Sequence, residues 1–199
     1  MSKEQILTLR QATGAGIVDI QKALEEAQGD EGKALEILRQ RGQAKALKKQ
    51  DRETREGLVH AYVHANGRVG VLVEVACETD FVARNKDFQN FAHELALQVA
   101  AANPIYLRPE DVPEEVKEKE LQIYREELQS TGKLKGKTEE MVTKILEGKL
   151  GKYFVEACLL EQPSIKDESR TVRDLLTEIT SKVGEKVEVK RFVRFAIGE

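Results

Sequence analysis

Apolar residues recur at helical spacing in the N-terminal part of the chain, and the pattern breaks at glycines. Ile6 and Leu9 lie one turn apart. Thr13-Gly14-Ala15-Gly16 interrupts the period, because two nearby glycines favour a turn. Ile17, Ile20, Leu24 and Ala27 then resume it. Gly29 is placed to close this second helix and Asp30 to cap a third, whose apolar stripe is Ala34, Leu35 and Leu38 and whose stop is Gly42. Three short helices bury little surface and make a marginally stable domain. From Ala44 to Glu56 the chain carries Lys45, Lys48, Lys49, Asp51, Arg52, Glu53, Arg55 and Glu56, with no wide apolar face after Leu47. This stretch is expected to be a linker, either irregular or partly helical, with residues 1–43 before it and residues 57–199 after it as separate domains.

Beyond the linker the period changes. Leu58–His64 and Val69–Val75 are rich in β-compatible residues and flank Asn66-Gly67. Asn-Gly between two such runs is the strongest short-range hairpin signal, with both turn residues at positive φ. A third strand is predicted over Val187–Phe195, with Val187, Val189, Val193 and Phe195 on one face. Between the strands lie helical stripes. Phe88, Phe91, Ala92, Leu95, Ala96 and Val99 end at Asn103-Pro104. Leu121, Tyr124 and Leu128 mark a second helix. Met141, Val142, Ile145 and Leu146 follow Thr138 as an N-cap, and Thr171 with Asp174 resembles a capping box before Leu175, Leu176 and Ile179. Early strands, several helices and a late strand make an α+β core: a small three-stranded antiparallel sheet packed with helices.

Composition narrows the function. The chain has 199 residues, 40% hydrophobic and 34% charged, with 5% aromatics and no Trp, so its core rests on aliphatic side chains. Lys+Arg 32 against Asp+Glu 35 gives a net charge of -3, which supplies no basic excess for general nucleic-acid binding. Cys77 and Cys158 form neither a disulfide framework nor a zinc cluster. The start lacks the apolar run of a signal peptide. The densest apolar run, Val69–Val73, is far short of the roughly 20 residues of a membrane span. A cytoplasmic protein with no membrane partner is expected.

Catalytic patterns are missing: the sequence has no phosphate loop, dinucleotide fingerprint or nucleophile elbow. His60 and His64 on one strand are about 13 Å apart at about 3.3 Å per residue, too far to share a metal. Glu78 and Asp80 could pair for acid–base work, but no nucleophile or second acid recurs nearby. Cys77 reads as a buried strand-end residue. The segment Glu78-Thr79-Asp80-Phe81-Val82 joins the second strand to the Phe88 helix. Thr79 or Asp80 is a good N-cap there, and Phe81 is either a staple or core residue, or an aromatic anchor presented at a corner to a protein pocket.

The run Val75-Ala76-Cys77-Glu78-Thr79-Asp80-Phe81-Val82-Ala83-Arg84 resembles the core signature of the elongation factor Ts family. Leu9-Arg10-Gln11-Ala12-Thr13-Gly14-Ala15-Gly16-Ile17-Val18-Asp19, continued by Lys22-Ala23-Leu24, resembles that family's first signature. Glu147-Gly148-Lys149, Glu161-Gln162-Pro163 and Arg191-Phe192-Val193-Arg194-Phe195 follow in the family's order, so the resemblance covers nearly the whole chain. It departs at Ala76, where the family usually has Asn, and at Gln21, where it usually has Lys. It also lacks the C-terminal helical module of longer members and holds one copy of a core that they carry as two related halves.

The resemblance implies a regulator of an enzyme, with no catalytic residue, cofactor or metal of its own. The implied partner is the GTPase elongation factor Tu. Residues 1–43 would form a ubiquitin-associated-like domain that contacts the GTPase's nucleotide-binding domain through Gly16, Ile17 and Val18. Thr79, Asp80, Phe81 and Val82 would enter the GTPase and disturb the site holding Mg²⁺ on its GDP. A single-half core with a small open sheet implies a homodimer. Two rival readings are an adaptor using only the N-terminal helices, which leaves the Thr79–Val82 signature unexplained, and an enzyme using Glu78 or Asp80, which turnover of a substrate by the isolated chain would reveal.

Overall fold

The computed structural model describes residues 2–198. The chain forms two compact units, one running to Leu97 and resuming at Arg173, the other Gln98–Val172.

The first unit opens with α1 (Lys3–Thr13), α2 (Ile17–Glu26) and α3 (Glu31–Leu47). A capping box starts α1: the Gln5 N–H donates to Ser2 Oγ, and the Ser2 N–H donates to Gln5 Oε1. Gly14 ends it at φ +64°, with its N–H on the Arg10 carbonyl. Asp30 caps α3 by accepting from the Lys33 N–H at 3.0 Å. Leu9, Ile20, Ala23, Leu24, Ala27, Ala34 and Leu38 make one buried cluster among these helices. The helices therefore pair along the predicted stripes, with two differences: Ile17 is exposed and lies outside this cluster, and the third helix outruns its predicted stop. Gly42 does not stop α3, which runs on to Leu47 before turns at 48–52 lead out of it. Gly42 is buried, and a Cβ there would lie 3.4 Å from Ser181 Oγ. That is ordinary contact, and the φ of Gly42 is not positive, so it takes the helical conformation and not the left-handed one that ends a helix, at a cost of about 1 kcal/mol.

The sheet has the order β1 (Glu56–Val63), β2 (Val69–Cys77), β3 (Glu188–Ala196), antiparallel throughout. The β1–β2 hairpin turns where predicted, but by a different device. The Gly67 N–H donates to the His64 carbonyl at 2.7 Å, and only Gly67 has positive φ, at +67°. Asn66 instead accepts the Arg68 N–H on its side chain at 3.0 Å, so the loop is longer than a two-residue turn.

A second difference lies in β3. Glu74 pairs with Arg191 but Val75 pairs with Val189, so Lys190 is an extra residue. One inserted residue moves every later side chain to the opposite face. Val187 and Val189 are buried, whereas Val193 and Phe195 are exposed at 39% and 70%. The four do not share a face. The inner face of β2 is Val71, Val73 and Val75, all buried. Its other face carries Leu72 between Ala61 and Val193, with exposed Val59, Val63 and Phe195 around them.

A one-turn helix, α4 (Asp80–Ala83), follows β2 directly, and then comes α5 (Lys86–Ala102). All six residues of the α5 stripe are buried. His93 on α5 meets His60 on the inner side of β1, with ring nitrogens 3.1 Å apart. The second unit centres on α6 (Glu114–Ser130) and α7 (Glu139–Ala157), joined around Leu128, Val142 and Leu146. There Lys149 pairs with Glu127 at 2.9 Å and lies over the Tyr124 ring. Gln98 and Gln162 are buried in this unit. The Gln98 amide donates to Gln162 Oε1 and the Pro163 carbonyl and accepts the Ile165 N–H. The chain returns through α8 (Val172–Val183) to β3. Among the described residues the architecture is thus α+β, with eight α-helices and one three-stranded antiparallel sheet.

Gly57 makes this pairing depend on the absence of a side chain. Its φ is +150°, and a Cβ would strike the Val75 carbonyl oxygen and lie 2.8 Å from Ala76 Cα. Gly57→Ala is expected to lower stability by more than about 1 kcal/mol, since alanine cannot adopt this conformation unstrained. Thermal unfolding checks it; an unchanged Tm would show that the strand relaxes around the methyl group.

Candidate functional site

The predicted corner is built by an abrupt change of conformation at the end of β2. Cys77 is the last strand residue, Thr79 is extended at φ −129°, and α4 begins at Asp80. Val82 is buried and turns inward. Phe81 projects outward at 80% exposure. Single exposed apolar side chains are ordinary on a surface, but among the large hydrophobic side chains exposed in the described residues Phe81 is the most exposed. This exposure excludes the staple and core roles for Phe81.

Thr79 does not cap α4 with its side chain. Its hydroxyl donates instead to Glu185 Oε1 at 2.7 Å, and its N–H donates to Glu185 Oε2 at 3.0 Å. Its carbonyl accepts the Cys77 thiol at 3.1 Å. Burial, followed by the nearby Glu185 carboxylate, pushes the Cys77 thiol up to about 11. It therefore remains a protonated donor at neutral pH, as a structural thiol does and a nucleophile does not.

Glu78 and Asp80 do not form a catalytic pair. The Glu78 carboxylate accepts the Lys186 N–H at 2.6 Å and faces Arg52 at 3.4 Å. Asp80 pairs with Arg84 one turn later at 3.0 Å. His60 and His64 likewise face different partners, His93 and the Tyr62 hydroxyl. Among the described residues no group of three or more His, Cys, Asp or Glu could hold a metal ion. No helix among them is long and apolar enough to cross a membrane.

The other predicted residues sit at the α1–α2 turn. Gly16 is the N-cap of α2, and Ile17 and Val18 open that helix with exposures of 46% and 62%. Val18 lies off the buried Ile20 and Leu24 stripe. Asp19 beside it accepts Lys45 at 2.7 Å, and this hydrogen bond holds its carboxyl below the usual range. Sequence reasoning missed Glu185, Lys186 and Arg52. Glu185 is 106 residues from Thr79, and no local periodicity connects them.

The chain matches the family model described as elongation factor TS over residues 43–199. It is 54% identical to elongation factor Ts of Thermotoga maritima, covering 100% of this chain and 97% of that protein. It is 52% identical to elongation factor Ts of Carboxydothermus hydrogenoformans, covering 100% and 90%. Elongation factor Ts of Moorella thermoacetica is 53% identical, covering 98% and 94%. The chain belongs to the elongation factor Ts family.

Membership in the elongation factor Ts family places this chain among the translation elongation factors, in protein biosynthesis. Of the two departures from the family pattern, Gln21 is exposed on α2, whereas Ala76 is buried in β2 one residue before Cys77.

The raised Cys77 pKa predicts inertness. Native protein should resist iodoacetamide at neutral pH, and the denatured chain should react readily at both cysteines. The pH dependence has a definite sign. The fold favours the protonated thiol, so this contribution to stability is complete below 9.0 and is lost as the pH rises towards about 11. Denaturant titrations across that window should show a decline that Cys77→Ala reduces. Rapid alkylation of the native protein at Cys77 would rule out this environment for the thiol.

Proposed function

We propose that this chain is the guanine nucleotide exchange factor of elongation factor Tu. It binds the GDP-bound GTPase and promotes GDP release by disturbing the Mg²⁺ and phosphate site, so that GTP can rebind. The observation that carries this reading is the corner: Phe81 is 80% exposed at the tip, between a clamped Thr79 and a buried Val82. Rigid aromatic anchors of this kind concentrate binding energy when they enter a partner's pocket. Mg²⁺ demands near-octahedral oxygen ligation, so small displacements of its ligands weaken it, and its loss leaves phosphate charge uncompensated. A factor that binds the nucleotide-free GTPase more tightly must weaken nucleotide binding by the same ratio. No bond is made or broken by this chain: it regulates an enzyme, in the cytoplasm, without cofactor or nucleic acid.

In this reading the three N-terminal helices are a ubiquitin-associated-like domain, which with the 44–56 linker and the 57–199 core gives the functional division of the chain. Gly16, Ile17 and Val18 supply its contact with the GTPase, and the corner of Thr79, Asp80, Phe81 and Val82 supplies the wedge, with Phe81 at its tip and Thr79 and Val82 anchoring it. Phe81→Ala should lower stimulated GDP release by about tenfold or more. Stability should change by no more than about 0.5 kcal/mol, as for an exposed position. If the wedge acts through Mg²⁺, the gap between wild type and variant narrows when the metal is chelated. Val18→Asp should instead raise the concentration needed for half-maximal stimulation. Release of labelled GDP titrated with factor up to saturation, with and without chelator, measures the exchange effects, and denaturant unfolding measures the stability. An equal gap in both conditions would exclude metal displacement by Phe81.

The same reading includes a homodimer through the open sheet face. Support comes from the apolar patch of Val59, Val63, Leu72, Val193 and Phe195, exposed on one side of the sheet and bordered by the Arg191–Glu74 pair. Two such faces stacked about 10 Å apart would bury both patches under a two-fold axis. Light scattering should report a dimer at micromolar concentration, and Leu72→Lys should shift it to monomer. A wild-type monomer across that range would remove the dimer from the model.

A further inference from the structure

The corner owes its direction to a residue outside the motif. Helix α4 is a single turn, Asp80–Ala83, and one turn of helix has too few hydrogen bonds to hold itself. The direction of Phe81 therefore depends on what fixes the residues around it. Val82 provides one anchor through burial. On the other side, the two oxygens of Glu185 take both donors of Thr79, its N–H at 3.0 Å and its hydroxyl at 2.7 Å. Charged acceptors make the stronger hydrogen bonds, and two to one residue fix orientation as well as distance.

Glu185 is itself held. Gly184, at φ +77°, turns the chain out of α8. The next residue, Lys186, donates its N–H to Glu78 at 2.6 Å, and its Nζ donates to the carbonyls of Gln50 and Arg52 at 2.7 and 3.0 Å. The turn thus grips both residues preceding Asp80, together with the segment leading out of α3. Each group is half-buried or at the surface, where a charge pair placed for stability alone contributes little.

We infer that Glu185 is a positioning residue for nucleotide exchange: its carboxylate clamps Thr79 so that Phe81 is presented in one fixed orientation. This rests on the reading of Phe81 as the wedge. A disordered Phe81 would pay the cost of ordering on each encounter with the GTPase, and a clamped one does not.

The absence of tryptophan from the chain permits a direct test. In Phe81→Trp protein, time-resolved fluorescence anisotropy reads the mobility of the corner without any partner. Glu185→Ala should increase the fast local motion of this tryptophan. Glu185→Gln should largely restore order, because its amide can accept the Thr79 N–H and donate to the hydroxyl oxygen. Thr79→Val, which removes one of the two bonds, should fall between and serves if Glu185→Ala folds poorly. With Phe81 in place, Glu185→Ala should lower the saturating rate of GDP release from elongation factor Tu by about tenfold, and Glu185→Gln should recover most of it.

Unchanged anisotropy in both Glu185→Ala and Thr79→Val would overturn the clamp. Increased mobility with wild-type exchange would overturn its role in exchange, provided Phe81→Ala is impaired. If Phe81→Ala also exchanges normally, the wedge reading has failed, and increased mobility would still establish the clamp.

Discussion

The central strand β2 sets the frame for the first unit. It pairs with β1 from Val63–Gly70 to Glu56–Cys77 and with β3 along its other edge. Its inner side chains Val71, Val73 and Val75 are buried. Backbone pairing on both edges and burial on one face leave no freedom to slide, because a one-residue slip would put every valine in water. The strand therefore delivers Cys77 and Thr79 to a fixed place, and the corner inherits that precision. A short turn of helix can present an aromatic ring usefully only when the strand before it is this constrained.

The polar ties around the corner differ in kind from the other charge pairs on the surface. Arg55–Glu53 and Lys144–Glu140 are highly exposed and close only local contacts, and such pairs contribute little to stability. Glu78, Glu185, Lys186 and Arg52 connect segments that are more than a hundred residues apart in the chain. They join the end of β2, the turn after α8 and the exit from α3. These bonds are worth more as geometry than as free energy. The same unit carries an exposed apolar sheet face, so it combines a tied corner with an open surface.

Much of this organisation was legible because it is local. Stripes with a period near 3.6 located the helices, and caps such as Asp30 and Thr138 behave as their side-chain chemistry dictates. The misreadings were also local, at residues whose role depends on a neighbour. Gly42 has the chemistry of a helix stop, but it is buried and the helix continues through it to Leu47. Asn66-Gly67 carries a hairpin signal, but an Asn side chain that accepts a backbone N–H serves a longer loop equally well. The period-2 pattern of β3 looks uniform in sequence. The extra residue Lys190 reverses its face, because one inserted residue shifts every later side chain by one position, and only pairing with the partner strand reveals the insertion.

The sequence by itself determined the order of helices and strands, the α+β class, the absence of familiar catalytic patterns, and the family signature around Thr79–Val82. All of these follow from neighbouring residues and their spacing, which the chain carries into any conformation. Only the tertiary structure decided that Phe81 faces water while Val82 faces the core, that Val193 and Phe195 lie on the open side, and that Glu185 rather than a local cap holds Thr79. Those outcomes depend on contacts between residues far apart in sequence. Spacing along the chain does not encode such contacts; strand pairing and packing create them.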